Sequence, residues 1–78
     1  MEDKQMIADK LCEVLKLTDK YAKIGSIQVV TERTATEAGY SSDEFAEIYL
    51  KGREKPYKRI DITADSGIAM LYDIVMKL

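Results

Sequence analysis

The chain has 78 residues, 46% of them hydrophobic and 33% charged, with a net charge of −2. A chain this short buries only about 60–65% of the surface its unfolded form exposes, so one domain, residues 1–78, with a modest core and no deep enclosed cavity is expected. It holds no histidine and a single cysteine, Cys12, which removes the commonest general base, the usual structural zinc set and any internal disulfide.

Those absences predict a non-enzyme without metal or cofactor. No apolar run approaches the roughly 20 residues that span a bilayer. The first six residues are acidic rather than basic-then-apolar, unlike a secretory leader. Together with the missing disulfide, these features predict a cytoplasmic protein that does not enter a membrane.

In chain order, residues 5–20 repeat at helical spacing. Ile7, Leu11, Val14, Leu15 and Thr18 share one face, with Ala8 and Cys12 on its edge, which predicts an amphipathic helix facing the core along that stripe. Cys12 reads as a small buried hydrophobe. After Gly25, residues 27–32 are rich in β-branched side chains and predict a strand that 34–36 could extend. Residues 38–43, Ala-Gly-Tyr-Ser-Ser-Asp, carry turn chemistry.

Residues 45–51 alternate, with Ala46, Ile48 and Leu50 on one side and Phe45, Glu47, Tyr49 and Lys51 on the other. A polar turn follows, and residues 57–63 alternate again with Ile60 and Ile62 inward, so the two segments predict a hairpin. Asp65 or Ser66 can cap a last helix whose stripe is Ile68, Leu71, Tyr72, Val75 and Leu78. On that reading Met70 and Met76 lie on its outer flanks. The predicted architecture is a small α+β domain in the order α-β-β-β-α, a three-stranded antiparallel sheet with two helices packed on one face.

The order resembles that of the double-stranded-RNA-binding domain. That family grips RNA through a Lys-rich start to its last helix. Here the stretch is Ala64-Asp65-Ser66-Gly67-Ile68-Ala69-Met70, with an acid and no lysine, so no phosphate-binding residue carries over to this chain.

Three surfaces are candidates for a partner. The open sheet face should bring Phe45, Tyr49, Tyr57 and Arg59 together, as single-strand binders combine rings with cations. Glu32, Glu47 and Asp61 on the same face would repel phosphates. The segment from Lys51 to Arg59 is a basic knot, with Lys51, Arg53, Lys55, Lys58 and Arg59 against Glu54; such turns also serve only to keep sheet edges soluble. The last helix has more apolar residues than one face needs, and Met70 and Met76 would give an adaptable contact. The function expected is a small non-enzymatic interaction module that binds protein, including a second copy of itself. The alternative is a nucleic-acid-binding module using the open face and the basic turn.

Overall fold

The computed structural model describes residues 3–78. Met1 and Glu2, part of the acidic start noted above, lie outside the described residues. The order is α1 (Lys4–Lys16), β1 (Ile24–Thr36), β2 (Gly39–Leu50), β3 (Lys58–Asp61) and α2 (Gly67–Lys77), with the strands in the order β1-β2-β3 in one antiparallel sheet. The α-β-β-β-α architecture read from the sequence is the one observed.

Asp3 opens α1 by accepting from the Met6 N–H at 3.0 Å, which satisfies a donor that the helix leaves free. The helix ends at Lys16, four residues earlier than its apolar period suggests. Thr18 is the reason: its hydroxyl donates to the Leu15 carbonyl at 2.7 Å and accepts from the Tyr21 N–H at 3.2 Å. A side chain that holds a helical carbonyl and a turn amide together competes with continued helix. Ser66, one of the two caps expected, opens α2 by accepting from the Ala69 N–H at 3.2 Å.

The first two strands are longer than expected. Residues 39–43 continue β2 against Thr36 to Glu32 instead of forming a loop. The turn shrinks to Glu37 and Ala38, closed by Gly39 at φ 124°, a conformation that only glycine adopts cheaply. Serine and aspartate are tolerated in this stretch of strand because neither face of it meets the core: residues 31–42 are exposed throughout. They form a two-stranded arm that projects beyond the helices, and the molecule measures 47 × 27 × 19 Å.

At the body, Ala46, Ile48, Ile60 and Ile62 point inward as expected and join Ile24 and Ile27 under the helices. The helices, however, turn different faces to the sheet. In α1 the buried residues are Ala8, Cys12 and Leu15, while Val14 is exposed. In α2 they are Gly67, Met70 and Ile74. Met70 is completely buried, so its expected place on the surface is corrected, and Ile68, Tyr72 and Val75 from the expected inner stripe are instead exposed. Both stripes of α2 satisfy helical spacing, and their centres lie roughly 100° apart around the helix at 100° per residue. Gly67, the first residue of α2, is buried on the observed inner stripe with Met70 and Ile74.

One polar side chain also fixes α1 to the sheet. The Gln5 amide accepts from the Val29 N–H at 2.8 Å and donates to the Ile27 carbonyl at 2.9 Å. These are the outward groups of β1, an edge strand, so Gln5 takes the place a fourth strand would fill.

The start of α2 holds a strained pair of acids. Asp65 Oδ2 is buried without a donor, and the Asp73 carboxyl stands within hydrogen-bond reach. A hydrogen bond between two carboxyls requires a proton on one of them, and this holds the Asp65 pKa above its ordinary value, with burial adding to the shift. An acid whose pKa is raised by folding costs stability once it ionises, so the penalty is present at neutral pH and fades as pH falls through the raised value. Asp73→Asn removes the second carboxylate and its repulsion of Asp65. It should raise the melting temperature at neutral pH, and the gain over the parent should shrink in the acid range. A variant no more stable than the parent at neutral pH would contradict this account.

Candidate interaction surfaces

The open sheet face is built by register. Gln28 stands opposite Glu47 and Val30 opposite Phe45 across β1 and β2, while Arg59 stands opposite Glu47 and Asp61 opposite Phe45 across β2 and β3. Arg59 is the hub of this face. Its guanidinium lies 3.8 Å from the centre of the Phe45 ring, its Nε is 3.3 Å from a Glu47 oxygen, and it also pairs with the Glu32 carboxylate. The Tyr49 hydroxyl donates to Glu47 at 3.1 Å; burial, and then this bond to an anion, hold the phenol above its ordinary pKa.

Phe45, Tyr49 and Arg59 are therefore brought together as expected. The arrangement is closed on itself, since Arg59 already has two carboxylates and a ring. A phosphate arriving here would have to displace Glu32 and Glu47. Tyr57 is not part of this group. It lines a cleft at the far end of the sheet with Tyr21, Ile24, Leu50, Lys20 and Leu78.

The basic turn is larger in space than in sequence. The Lys51 N–H donates to the Lys23 carbonyl at 2.9 Å, which joins the α1–β1 connection to the β2–β3 turn. Lys20 and Lys23 thereby stand at the same end as Lys51, Arg53, Lys55 and Lys58. Within segments 17–23 and 51–58 these six cations face only Asp19 and Glu54. Lys58 Nζ donates to the Lys77 carbonyl at the end of α2 at 2.6 Å, where the negative end of the helix dipole favours a cation. The arm at the opposite end is acidic: Glu32, Glu37, Asp43 and Glu44 stand in residues 31–44 against Arg33.

The third surface was only half seen in the sequence. Met76 is 65% exposed, as expected. With Met70 in the core, the rest of the surface comes from residues assigned to the inner stripe. Ile68 is 74% exposed, Tyr72 65% and Val75 52%, and from α1 Met6 and Val14 are exposed to a similar degree. Between the helices, Met6, Ile7, Leu11 and Val14 of α1 meet Leu71 of α2 around a groove of about 420 Å³, whose one charged neighbour is Lys10. Among the described residues, seven of the nine large exposed apolar side chains lie on the two helices and their ends, the other two being Tyr40 and Tyr57. Apolar surface concentrated in this way, and rimmed by charge, marks a contact site more often than scattered exposure does.

No helix among the described residues is long and apolar enough to cross a membrane. Compared with models of known protein families, with curated proteins and with solved structures, the chain matches none.

Proposed function

We propose that the chain is a small non-enzymatic interaction module that binds a protein through the outer face of α1 and α2. The observation that carries this reading is the second apolar stripe on each helix. Ala8, Cys12, Leu15, Gly67, Met70 and Ile74 already cover the sheet. Ile68, Leu71, Tyr72 and Val75, with Met6 and Val14, add nothing to that core, yet they keep helical spacing on a shared side. An aromatic ring among adaptable aliphatic side chains is the usual composition of an interface centre.

A photoreactive residue in place of Tyr72 in the full chain should form protein adducts in its native cells. The same residue in place of Asp61, on the open sheet face, should form few. Adducts arising only from the sheet face would refute the reading.

A second reading, single-stranded nucleic acid bound at the basic end, is favoured by the gathering of Lys20 and Lys23 with the 51–58 cations. It is weakened by the ion-paired state of Arg59. Its mark would be affinity that falls steeply with added salt, because phosphate contacts release counterions.

A further inference from the structure

We propose that the cleft at the basic end of the sheet is a binding site for a small organic anion, a molecule with a flat apolar body and one carboxylate or phosphate head. The cleft is separate from the outer helix face, and neither assignment depends on the other.

The cleft encloses about 330 Å³. This is the lower end of the roughly 300–1,000 Å³ of ordinary ligand sites, so its occupant is small. The floor is apolar, with Ile24 buried and Leu50 and Leu78 half-buried beneath the opening. Tyr21 and Tyr57 add two aromatic rings, one from the α1–β1 connection and one from the approach to β3. Lys20 and Lys23 are the charged side chains that line it, and among the described residues no carboxylate side chain does.

Hydrogen bonds fix the segments that meet there. The Tyr21 N–H donates to the Thr18 hydroxyl at 3.2 Å, and the Ile24 N–H to the Tyr21 carbonyl at 3.1 Å. Next to Leu50, the Lys51 N–H donates to the Lys23 carbonyl at 2.9 Å. The Tyr57 N–H donates to the Ile48 carbonyl at 2.6 Å, and Lys58 beside it holds the Lys77 carbonyl next to Leu78. With the backbone tied in this way, little ordering is left to oppose binding.

The side chains around the floor are not tied. Among the described residues neither the Tyr21 nor the Tyr57 hydroxyl has a hydrogen-bond partner, and neither Lys20 nor Lys23 forms an ion pair; Lys20 stands over the Tyr21 ring, 5.3 Å from its centre. The ion pairs lie elsewhere, between Lys4 and Glu44, Lys10 and Glu13, and Arg59 and its two carboxylates. Helix carbonyls that would repel an anion are occupied: Val14 and Leu15 accept from the N–H groups of Leu17 and Thr18, and Lys77 from Lys58. The contrast with the Arg59 group is direct, because that group is neutralised internally and this one is not. An inorganic anion gains little from exposed lysines, and a neutral ring leaves their charge unanswered. A ring joined to an anionic head uses both, the ring against the floor and Tyr57, the head with the ammonium groups.

Titration of the nitrogen-labelled chain with naphthyl phosphate, followed by amide chemical shifts, tests the proposal. Naphthol and inorganic phosphate serve as the body and the head alone. Saturable shifts are expected at the amides of Tyr21, Ile24, Leu50 and Tyr57, with an affinity at least about 10-fold above that of either part. Lys20→Gln combined with Lys23→Gln should weaken naphthyl phosphate by on the order of 10-fold, the effect of two exposed ion pairs together, and leave naphthol unchanged. Tyr57→Ala should weaken both ring compounds. The replaced side chains are exposed, so amides distant from the cleft keep their positions in each variant. Inorganic phosphate that binds as tightly as naphthyl phosphate overturns the proposal, as do shifts confined to the helix groove around Leu11 and Leu71, no shifts at all, or a lysine variant that binds like the parent. A short single-stranded thymidine oligonucleotide that moves the same amides at lower concentration would put a nucleic acid strand in the cleft and overturn its assignment to a small molecule.

Discussion

Replacing Ile62 with alanine should lower stability by about 2–5 kcal/mol, the range for truncating a large core side chain whose site cannot collapse. Ile62 is fully buried although it lies one residue past β3. Its N–H donates to the Glu44 carbonyl at 2.9 Å, and its own carbonyl accepts from Asp65 at 2.9 Å, so the backbone around it is held from both sides and cannot close over a cavity. A loss of this size is a large part of the roughly 5–15 kcal/mol that holds a small domain folded. In urea the midpoint should fall by on the order of 1–3 M at an ordinary slope. A melt that coincides with the parent's would mean that the inner face of the sheet has been assigned wrongly.

The second large effect is a contrast within α2. Met70→Ala should also cost about 2–5 kcal/mol, because Met70 is wholly enclosed between the sheet and α1. Ile68→Ala, at a residue 74% exposed, should change the stability of the monomer by no more than about 0.5 kcal/mol. The pair is decisive because the apolar period alone gives the opposite order. Denaturation at a concentration low enough to exclude self-association would read it. Equal losses at the two positions would mean that α2 is rotated about its axis from the orientation described.

That contrast shows where the sequence was legible and where it was not. The sheet was legible because strand alternation has a period of two and offers only two faces. Once Ala46, Ile48, Ile60 and Ile62 are placed on one of them, nothing is left to choose. The helices were harder because each carries apolar residues over most of its circumference. Spacing identifies α2 as a helix but cannot say which of two stripes meets the core. The far side of the arm, residues 39–43, was read as a turn because its residues have turn chemistry, and what keeps them in a strand is pairing with Thr36 to Glu32 across the register, not burial. The basic end was partly hidden because Lys23 and Lys51 stand 28 positions apart and meet only through a backbone hydrogen bond.

The Phe45–Arg59 group illustrates the same limit in a different way. Residue types and alternation were enough to place Phe45, Tyr49 and Arg59 on one face. They could not show that Glu32 and Glu47 would turn toward Arg59 and neutralise it, since that depends on the register of three strands at once. What reads along the chain as rings among cations is, in space, a cross-strand ion-pair network capped by an aromatic ring. Such networks hold strands in register.

The arm has a kinetic consequence. Its ladder is complete from Thr31 to Ser42, yet both faces of that stretch are open to water, so each pair is held by its own hydrogen bonds with little apolar contact behind it. Opening from the Glu37–Ala38 tip can therefore proceed one rung at a time, without disturbing the core beneath Ile27 and Ile48. Amide protons along the arm should exchange with solvent through these small openings, faster toward the tip. Those of the body strands should wait for larger unfolding events. The slow front should begin near Val29, where the Gln5 side chain grips the edge of β1. One continuous pair of strands would thus behave as two segments in time, a persistent root and a fluctuating tip.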